Sequence, residues 1–279
     1  LHSSTLVGLG LIVFARRGKL LPDISSVHGT FVKTGLGGLH GNKGALVVRM
    51  LLGSTPIAFV QAHLPAGHKA VNERNSDAAI IVRTADLPSV KHSISQLWPF
   101  FPGSGNQGQR ILDHEIVWLF GDLNYRIELP RAQCEQALND LNMSVLHGSD
   151  QLRKQLSNHN QILSEFRECI DSGPSFAPTY KYDIGSLNRF DSSEKQRVPA
   201  WCDRILHFYN GESAPIRSLS YTSIMEAVAS DHKPIYAVYE VDYWKVDEQR
   251  QVLFLQELFQ KDAKSFEIIM KQSWCHRDS

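Results

Sequence analysis

Ile116-Val117-Trp118-Leu119-Phe120-Gly121-Asp122-Leu123-Asn124-Tyr125-Arg126-Ile127 is the stretch on which the reading of this chain turns. Five apolar residues form a run short enough for a buried strand. Gly121 interrupts it, and a carboxylate and an amide follow two residues apart. At the strand period of two, Asp122 and Asn124 face the same way. A buried strand ending in an acid and an amide on one side is suited to hold and deprotonate a water. Asp and Asn also favour turns, so the same residues read equally as a turn at a strand end. The stretch alone leaves both readings open.

Working upstream, residues 56–64 are a further apolar run that carries His63 at its end, and residues 45–52 and 6–14 read as two more strands. A strand-end histidine is either a packing residue or a catalyst. Before residue 45 lies Gly35-Leu36-Gly37-Gly38-Leu39-His40-Gly41-Asn42-Lys43-Gly44, with five glycines in ten residues. Lys43 is followed by Gly44 and not by Ser or Thr, so this is no Walker loop. It is either a loop presenting Asn42 and Lys43 to an anion or a glycine-rich hairpin with a solvated lysine. A helical pattern over 68–83 follows the strand at His63. Residues 87–110 read as a loop-rich insertion with an apolar cluster, Trp98-Pro99-Phe100-Phe101.

Working downstream, Pro130 opens a helix to about residue 141, and short helices are predicted over 151–156 and 161–170. A Pro-punctuated extended segment, 174–183, presents Tyr180 and Lys181. The polar loop 185–197 carries Lys195 and Arg197. Residues 198–206 lead into a strand in which Asp203 and Arg204 stand among apolar residues, so at least one needs a buried partner. Ser230-Asp231-His232-Lys233-Pro234 precedes a last strand over 235–241. A helix over 247–271 aligns Leu255, Leu258, Phe259, Phe266, Ile269 and Met270 on one face. Strands alternate with helices, which gives an α/β class, and the chemically capable residues gather at strand ends: His63, Asp122, Asn124, Asp203, Asp231 and His232. Acids, an amide and imidazoles beside basic loops suit metal-assisted hydrolysis of a phosphoester.

Bulk properties set limits. The chain has 279 residues and zero formal net charge, which argues against bulk nucleic-acid binding while leaving room for a local basic pocket. Its four cysteines are scattered with no C-x-x-C pair, so neither a zinc site nor a disulfide framework is expected. Free thiols, no apolar run of spanning length and no visible signal peptide lead us to expect a cytoplasmic protein.

Gly41-Asn42-Lys43-Gly44, Gly121-Asp122-Leu123-Asn124-Tyr125-Arg126-Ile127, Pro199-Ala200-Trp201-Cys202-Asp203-Arg204-Ile205-Leu206 and Ser230-Asp231-His232-Lys233-Pro234 together resemble the signatures of the inositol polyphosphate 5-phosphatases, in order and spacing. Residues 31–38 and 176–183 are most similar to the synaptojanin branch. The resemblance covers about residues 6–244. It implies a two-sheet β-sandwich flanked by helices, the fold shared with DNase I, apurinic endonucleases and neutral sphingomyelinases. It implies a catalytic domain over 1–245 and a C-terminal helical extension over 246–279. It also implies roles: Asp122 as the base for the attacking water, Asn124 as its companion, His63 and His232 as donors to the scissile phosphate, and Asp203 as the partner that keeps His232 protonated. Tyr180, Lys181, Lys195 and Arg197 would grip a neighbouring 4-phosphate, and Asn42 and Lys43 would face the 1-phosphate side. Asp231 would lie near a Mg2+ ion.

The strands that carry the family's Trp-Asn-x-Asn-type motif and its metal-ligating Gln-Glu are not found in the chain, and both would fall before Leu1. The expectation is therefore a fragment of a longer chain, lacking N-terminal strands and the main glutamate ligand, with little activity by itself. The implied substrate is a phosphoinositide lipid such as PtdIns(4,5)P2 or a soluble inositol phosphate, met by a monomeric domain that touches membranes peripherally. Two rivals are a nuclease or sphingomyelinase on the same fold, which the zero charge and the Tyr180-Lys181 segment disfavour, and a non-catalytic binder of phosphoinositide or partner.

Overall fold

Ten strands and five α-helices can be followed in the computed structural model, which describes residues 1–88, 110–159, 161–210 and 216–261. The strands are β1 (His2–Leu6), β2 (Leu9–Val13), β3 (Ile24–Gly35), β4 (His40–Leu52), β5 (Thr55–His63), β6 (Ile116–Asp122), β7 (Arg167–Glu168), β8 (Asp203–Tyr209), β9 (Arg217–Ser223) and β10 (Ile235–Glu240). The helices are α1 (Val71–Thr84), α2 (Arg131–Asn139), α3 (Met143–Gly148), α4 (Gln151–Leu156) and α5 (Glu248–Lys261).

The apolar run in β4 explains the architecture. Every residue from Gly44 to Leu52 is buried, which requires cover on both faces of the strand. β4 lies second in a six-stranded mixed sheet of order β3-β4-β5-β6-β8-β7. Only β5 and β6 run parallel within it, and the crossover that such a pair needs is made by α1. On one face, Ala45, Val47, Val60, Ala62, Val117 and Leu119 pack with Ala78, Ile81 and Val82 of α1. On the other, Leu46, Val48, Met50, Ile57 and Trp118 pack with Leu9 and Leu11 of the β1-β2 hairpin and with Tyr239 of the β9-β10 hairpin. Phe59 and Trp118 stack there, with centroids 5.0 Å apart. The molecule is thus the helix-flanked sandwich expected from the sequence, with its second layer made of two separate hairpins among the described residues.

Several elements differ from expectation. The run 6–14 is not one strand: Val7-Gly8 turns the chain, with Gly8 at φ +77°. Residues 161–170 hold a 3-10 turn (Ile162–Glu165) and the short β7 in place of a helix, because buried Leu163 and Phe166 pack inward at a spacing of three. The glycine-rich segment resolves as a hairpin, with Asn42 and Lys43 inside β4. α3, β3 and β9 had no prediction, and β1 was touched only at Leu6. The Trp98–Phe101 cluster lies outside the described residues. So do residues 262–271 and the side chains of Leu255, Leu258 and Phe259, while Val252, Leu253 and Phe254 of α5 are exposed. No helix among the described residues is long and apolar enough to cross a membrane.

Candidate active site

The site begins as one rung of the sheet. His63, the last residue of β5, pairs with Asp122 at the end of β6, and Asp122 pairs with Asp203 at the start of β8. On the far side, Gly44 of β4 pairs with His63. Two glycines let the backbones close around this rung. Gly44 has φ +137° and Gly121 φ +127°. A Cβ at Gly44 would lie 2.0 Å from the Val32 carbonyl oxygen, and one at Gly121 would lie 2.2 Å from that of Ala62. No side chain fits either place.

His63 Nε2 lies 3.4 Å from Asp122 Oδ2, and Lys43 Nζ contacts the same nitrogen. Across the rung, Asp203 Oδ2 accepts from His232 Nδ1 at 2.9 Å and from Thr179 Oγ1 at 2.9 Å. His232 is delivered by a small ladder outside the main sheet. Tyr180 bridges both Ala200 and His232, the Tyr182 amide donates to the Asp231 carbonyl at 2.9 Å, and the Lys233 amide donates to the Thr179 carbonyl at 2.8 Å. The Lys233 ammonium is buried, with carbonyls of Ser186 and Ala227 at 2.9 Å and the Tyr182 ring at 4.7 Å. A cavity of about 370 Å³ lies against the rung, lined by Phe120, Asp203, Ser230, His232 and Pro234.

The electrostatics separate acid from base. Burial works to lower the His232 pKa, but the Asp203 hydrogen bond and charge, with Asp122 and Asp231, outweigh it and raise the pKa above the ordinary imidazole value. Burial works to raise the Asp122 pKa, but the His63 hydrogen bond and the charges of His232, His63 and Lys43 prevail, and the carboxyl sits below its usual range. Burial lowers the Lys43 ammonium, against the attraction of Asp122. A carboxyl of lowered proton affinity thus stands within 4.8 Å of an imidazole of raised proton affinity.

The expectation that Asp122 and Asn124 point the same way does not hold. β6 stops at Asp122, and Asn124 adopts φ +57° in the left-handed region. The Asn124 amide donates to Asp122 Oδ1 at 3.1 Å, as in a turn. Its side chain is turned inward: Nδ2 donates to the Leu64 carbonyl at 3.1 Å, and Oδ1 accepts from the Arg126 guanidinium. The turn reading therefore describes Asn124. Asp122 faces the site, and Asn124 is the buried turn that aims it.

The remaining expected residues divide. Lys43, Tyr180 and Lys181 surround the rung; the Lys181 ammonium pairs with Asp231, and the Tyr180 ring lies 4.6 Å from that of His232. Arg197 is held farther out by Asp191, through its guanidinium at 3.1 Å and its amide at 3.0 Å. Lys195 is exposed on the same loop. Asn42 is exposed at the base of the hairpin, where its Oδ1 sits over Gly35. Among the described residues the set that could hold a cation is Asp122, Asp203 and His232, whose ligand atoms lie within 4.8 Å of one another. Asp231 stands beside this set with its carboxylate on Lys181. Sequence reasoning passed over Arg126, Thr179 and Gln151. Gln151 joins Arg74 at 2.8 Å to the Arg126 amide at 2.9 Å. An arginine in an otherwise buried Tyr-Arg-Ile run was the one available signal, since a buried charge needs partners.

A rung of two carboxylates and an imidazole at the end of a sandwich defines a class. The profile of the Endonuclease/Exonuclease/phosphatase family 2 matches residues 1–238, and the chain belongs to this family. Within it, the chain is homologous to inositol polyphosphate 5-phosphatases and synaptojanins. A probable inositol polyphosphate 5-phosphatase of Schizosaccharomyces pombe is 42% identical, over 88% of this chain and 20% of that protein. Synaptojanin-1 of Rattus norvegicus is 34% identical, over 91% of this chain and 16% of its own length. The solved 5-phosphatase domain of SPsynaptojanin, in complex with inositol (1,4)-bisphosphate and calcium ion, superposes with a TM-score of 0.76. It is 33% identical, with 96% of this chain and 69% of that one covered. The chain spans about one fifth of the length of the curated relatives it matches.

Proposed function

We propose that this chain carries the catalytic machinery of a Mg2+-dependent phosphatase that removes the 5-phosphate of phosphoinositides such as PtdIns(4,5)P2. The observation that carries the reading is the rung His63-Asp122-Asp203 with His232 fixed on Asp203. Asp122, ionised and aimed by the Asn124 turn, takes a proton from water as its oxygen attacks phosphorus in line. His232, held protonated by Asp203, and His63 donate to phosphate oxygens as the ester bond to the ring breaks. On this reading water attacks directly and no phosphoenzyme forms, so stabilisation is positional and electrostatic. The carboxylates of Asp122 and Asp203 are hard oxygen donors that would suit Mg2+, and the ion would supply positive charge to offset that on the leaving oxygen. Lys43, Lys181 and Lys195 supply cations for the remaining ring phosphates.

A cytoplasmic, peripheral contact with membranes fits the hairpin between β3 and β4. Leu36 and Leu39 at its tip are 73% and 82% exposed, and basic Lys33 and Lys43 stand on the strands behind them. The test is phosphate release from 4,5- and 3,4,5-phosphorylated inositides with Mg2+, using this chain and the same chain extended upstream. Turnover abolished by chelation and restored by Mg2+ is expected of the extended chain. A folded extended chain that binds these lipids without turnover would sink the reading in favour of a non-catalytic binder. Preference for abasic DNA or sphingomyelin would point to another phosphodiesterase of the fold.

A further inference from the structure

Three planar groups at the site lie in contact in a row. The Arg126 guanidinium lies over the Tyr180 ring with its carbon 4.5 Å from the centroid, and the same ring lies 4.6 Å from the His232 imidazole at an interplanar angle of 43°. Each end of this stack is tied to the rung. Arg126 donates to the Asn124 carbonyl at 3.1 Å and to the Asn124 side chain, and Asn124 donates to Asp122. His232 donates to Asp203. Arg126 is 8% exposed and Tyr180 9%, so neither is a free surface cation or a free phenol. The path Asp122–Asn124–Arg126–Tyr180–His232–Asp203 closes on itself, because Asp122 and Asp203 are neighbours on the sheet.

We propose that Arg126 and Tyr180 are positioning residues, a guanidinium–phenol plate that sets the plane of the His232 ring and locks it to the turn aiming Asp122. The physical basis is direct. A planar guanidinium stacked on an aromatic face and held by two acceptors is rigid, in a way that a lysine in its place is not. Asp203 fixes one atom of the imidazole, and a ring held at one atom still pivots. The plate removes that freedom. Because Tyr180 precedes Lys181, which holds Asp231, the segment expected to grip a neighbouring phosphate is also one wall of the scissile site. This deepens the proposed function and, for its kinetic part, rests on it.

The test uses the chain extended upstream in parental, Arg126→Met and Arg126→Lys forms, with two readouts. The first is the NMR signals of the His232 ring carbons and their protons in the protein without substrate, where the stacked Tyr180 ring imposes a ring-current shift. The second is kcat and KM on a soluble inositol phosphate. Arg126→Met is expected to move the His232 signals and to lower kcat by about tenfold to a hundredfold, as misplacement of a reacting group does, with KM within about threefold of the parent. Arg126→Lys is expected to fall between the two in both readouts. A merely structural role would lower stability and leave the kcat of the folded fraction unchanged. Should the methionine form fail to fold, the lysine form decides: His232 signals and kcat matching the parent overturn the proposal. If the parent releases no phosphate while Arg126→Met or Arg126→Lys moves the His232 signals, the plate stands and the phosphatase reading falls.

Discussion

His232 and Asp122 differ in proton affinity because of what stands next to them. The Asp203 carboxylate keeps the imidazole charged, and the imidazoles with Lys43 keep Asp122 ionised. The signs fix a pH profile. The acidic His232 is present below its raised pKa and lost as pH rises through it. The basic Asp122 is present above its lowered pKa and lost as pH falls through it. Asp203→Asn removes the main support of the imidazolium, so the alkaline limb of kcat is expected to move to lower pH, with kcat down by about 10²–10⁴-fold at neutral pH. A pH–rate series on the variant and the parent checks both. At this scale the sequence was legible where a residue kept its strand phase. Asp122 and His63 end apolar runs and lie where those runs point. Asn124 was not legible, because a positive φ breaks the period of two, and no count along the chain reveals that. Thr179 and Arg126 escaped because their value lies in partners about 25 and 55 residues away.

β6 shows how much of an element depends on one atom left out. The Cβ that Gly121 lacks would meet the Ala62 carbonyl, and its φ of +127° is closed to other residues. Gly121→Ala is expected to cost at least about 2 kcal/mol, through strain and through splaying β5 from β6. Urea unfolding followed by tryptophan fluorescence measures it, and activity is expected to fall further than stability alone accounts for. The β3-β4 hairpin makes a separate prediction. Replacing Leu36 and Leu39 by serine is expected to lower turnover on PtdIns(4,5)P2 vesicles by about tenfold while leaving a soluble inositol phosphate unaffected. Equal losses on both would remove the membrane role. Elements with dense apolar runs (β4, β5, β6 and β10) were legible from composition. β9, Arg217–Ser223, was not, because its polar residues and its one buried tyrosine carry no run. β1 was missed and β2 was carried back to Leu6, because Val7-Gly8 is too short an interruption to weigh in a run of nine apolar or small residues.

The whole molecule is pinned by a charge it keeps from water. Arg204 in β8 is fully buried, with Asp150 at the start of α4 at 2.6 Å and Glu168 of β7 on its other side, and Glu168 also takes Arg153 at 3.0 Å. The need for a buried partner beside Asp203 was visible in sequence; the identity of the partners, some 36 and 54 residues back, was not. Arg204→Met leaves two carboxylates face to face and is expected to destabilise by about 3–5 kcal/mol. Burial already raises the Asp150 pKa and Arg204 restrains it. Without the guanidinium the penalty applies above that raised pKa and shrinks as pH falls through it, so the variant's deficit is expected to be smallest in acid. Chemical denaturation at two pH values tests the sign.

The rung also sets the order of events in the life of the chain. His63, Asp122 and Asp203 are separated by about 60 and 80 residues, and they meet only when β5, β6 and β8 have docked in register. No hairpin holds two of these three residues, and all three meet only when both strand pairings are made. A slip of one residue in β6 would bring Leu123 into the rung and turn Asp122 away, leaving a sheet of ordinary appearance with no chemistry. On the proposed function, catalysis therefore waits for both pairings, and a chain emerging from synthesis is expected to stay silent until β5, β6 and β8 are in register. In a refolding experiment on the chain extended upstream, hydrolysis is accordingly expected to be a clock for completion that neither circular dichroism nor fluorescence can replace.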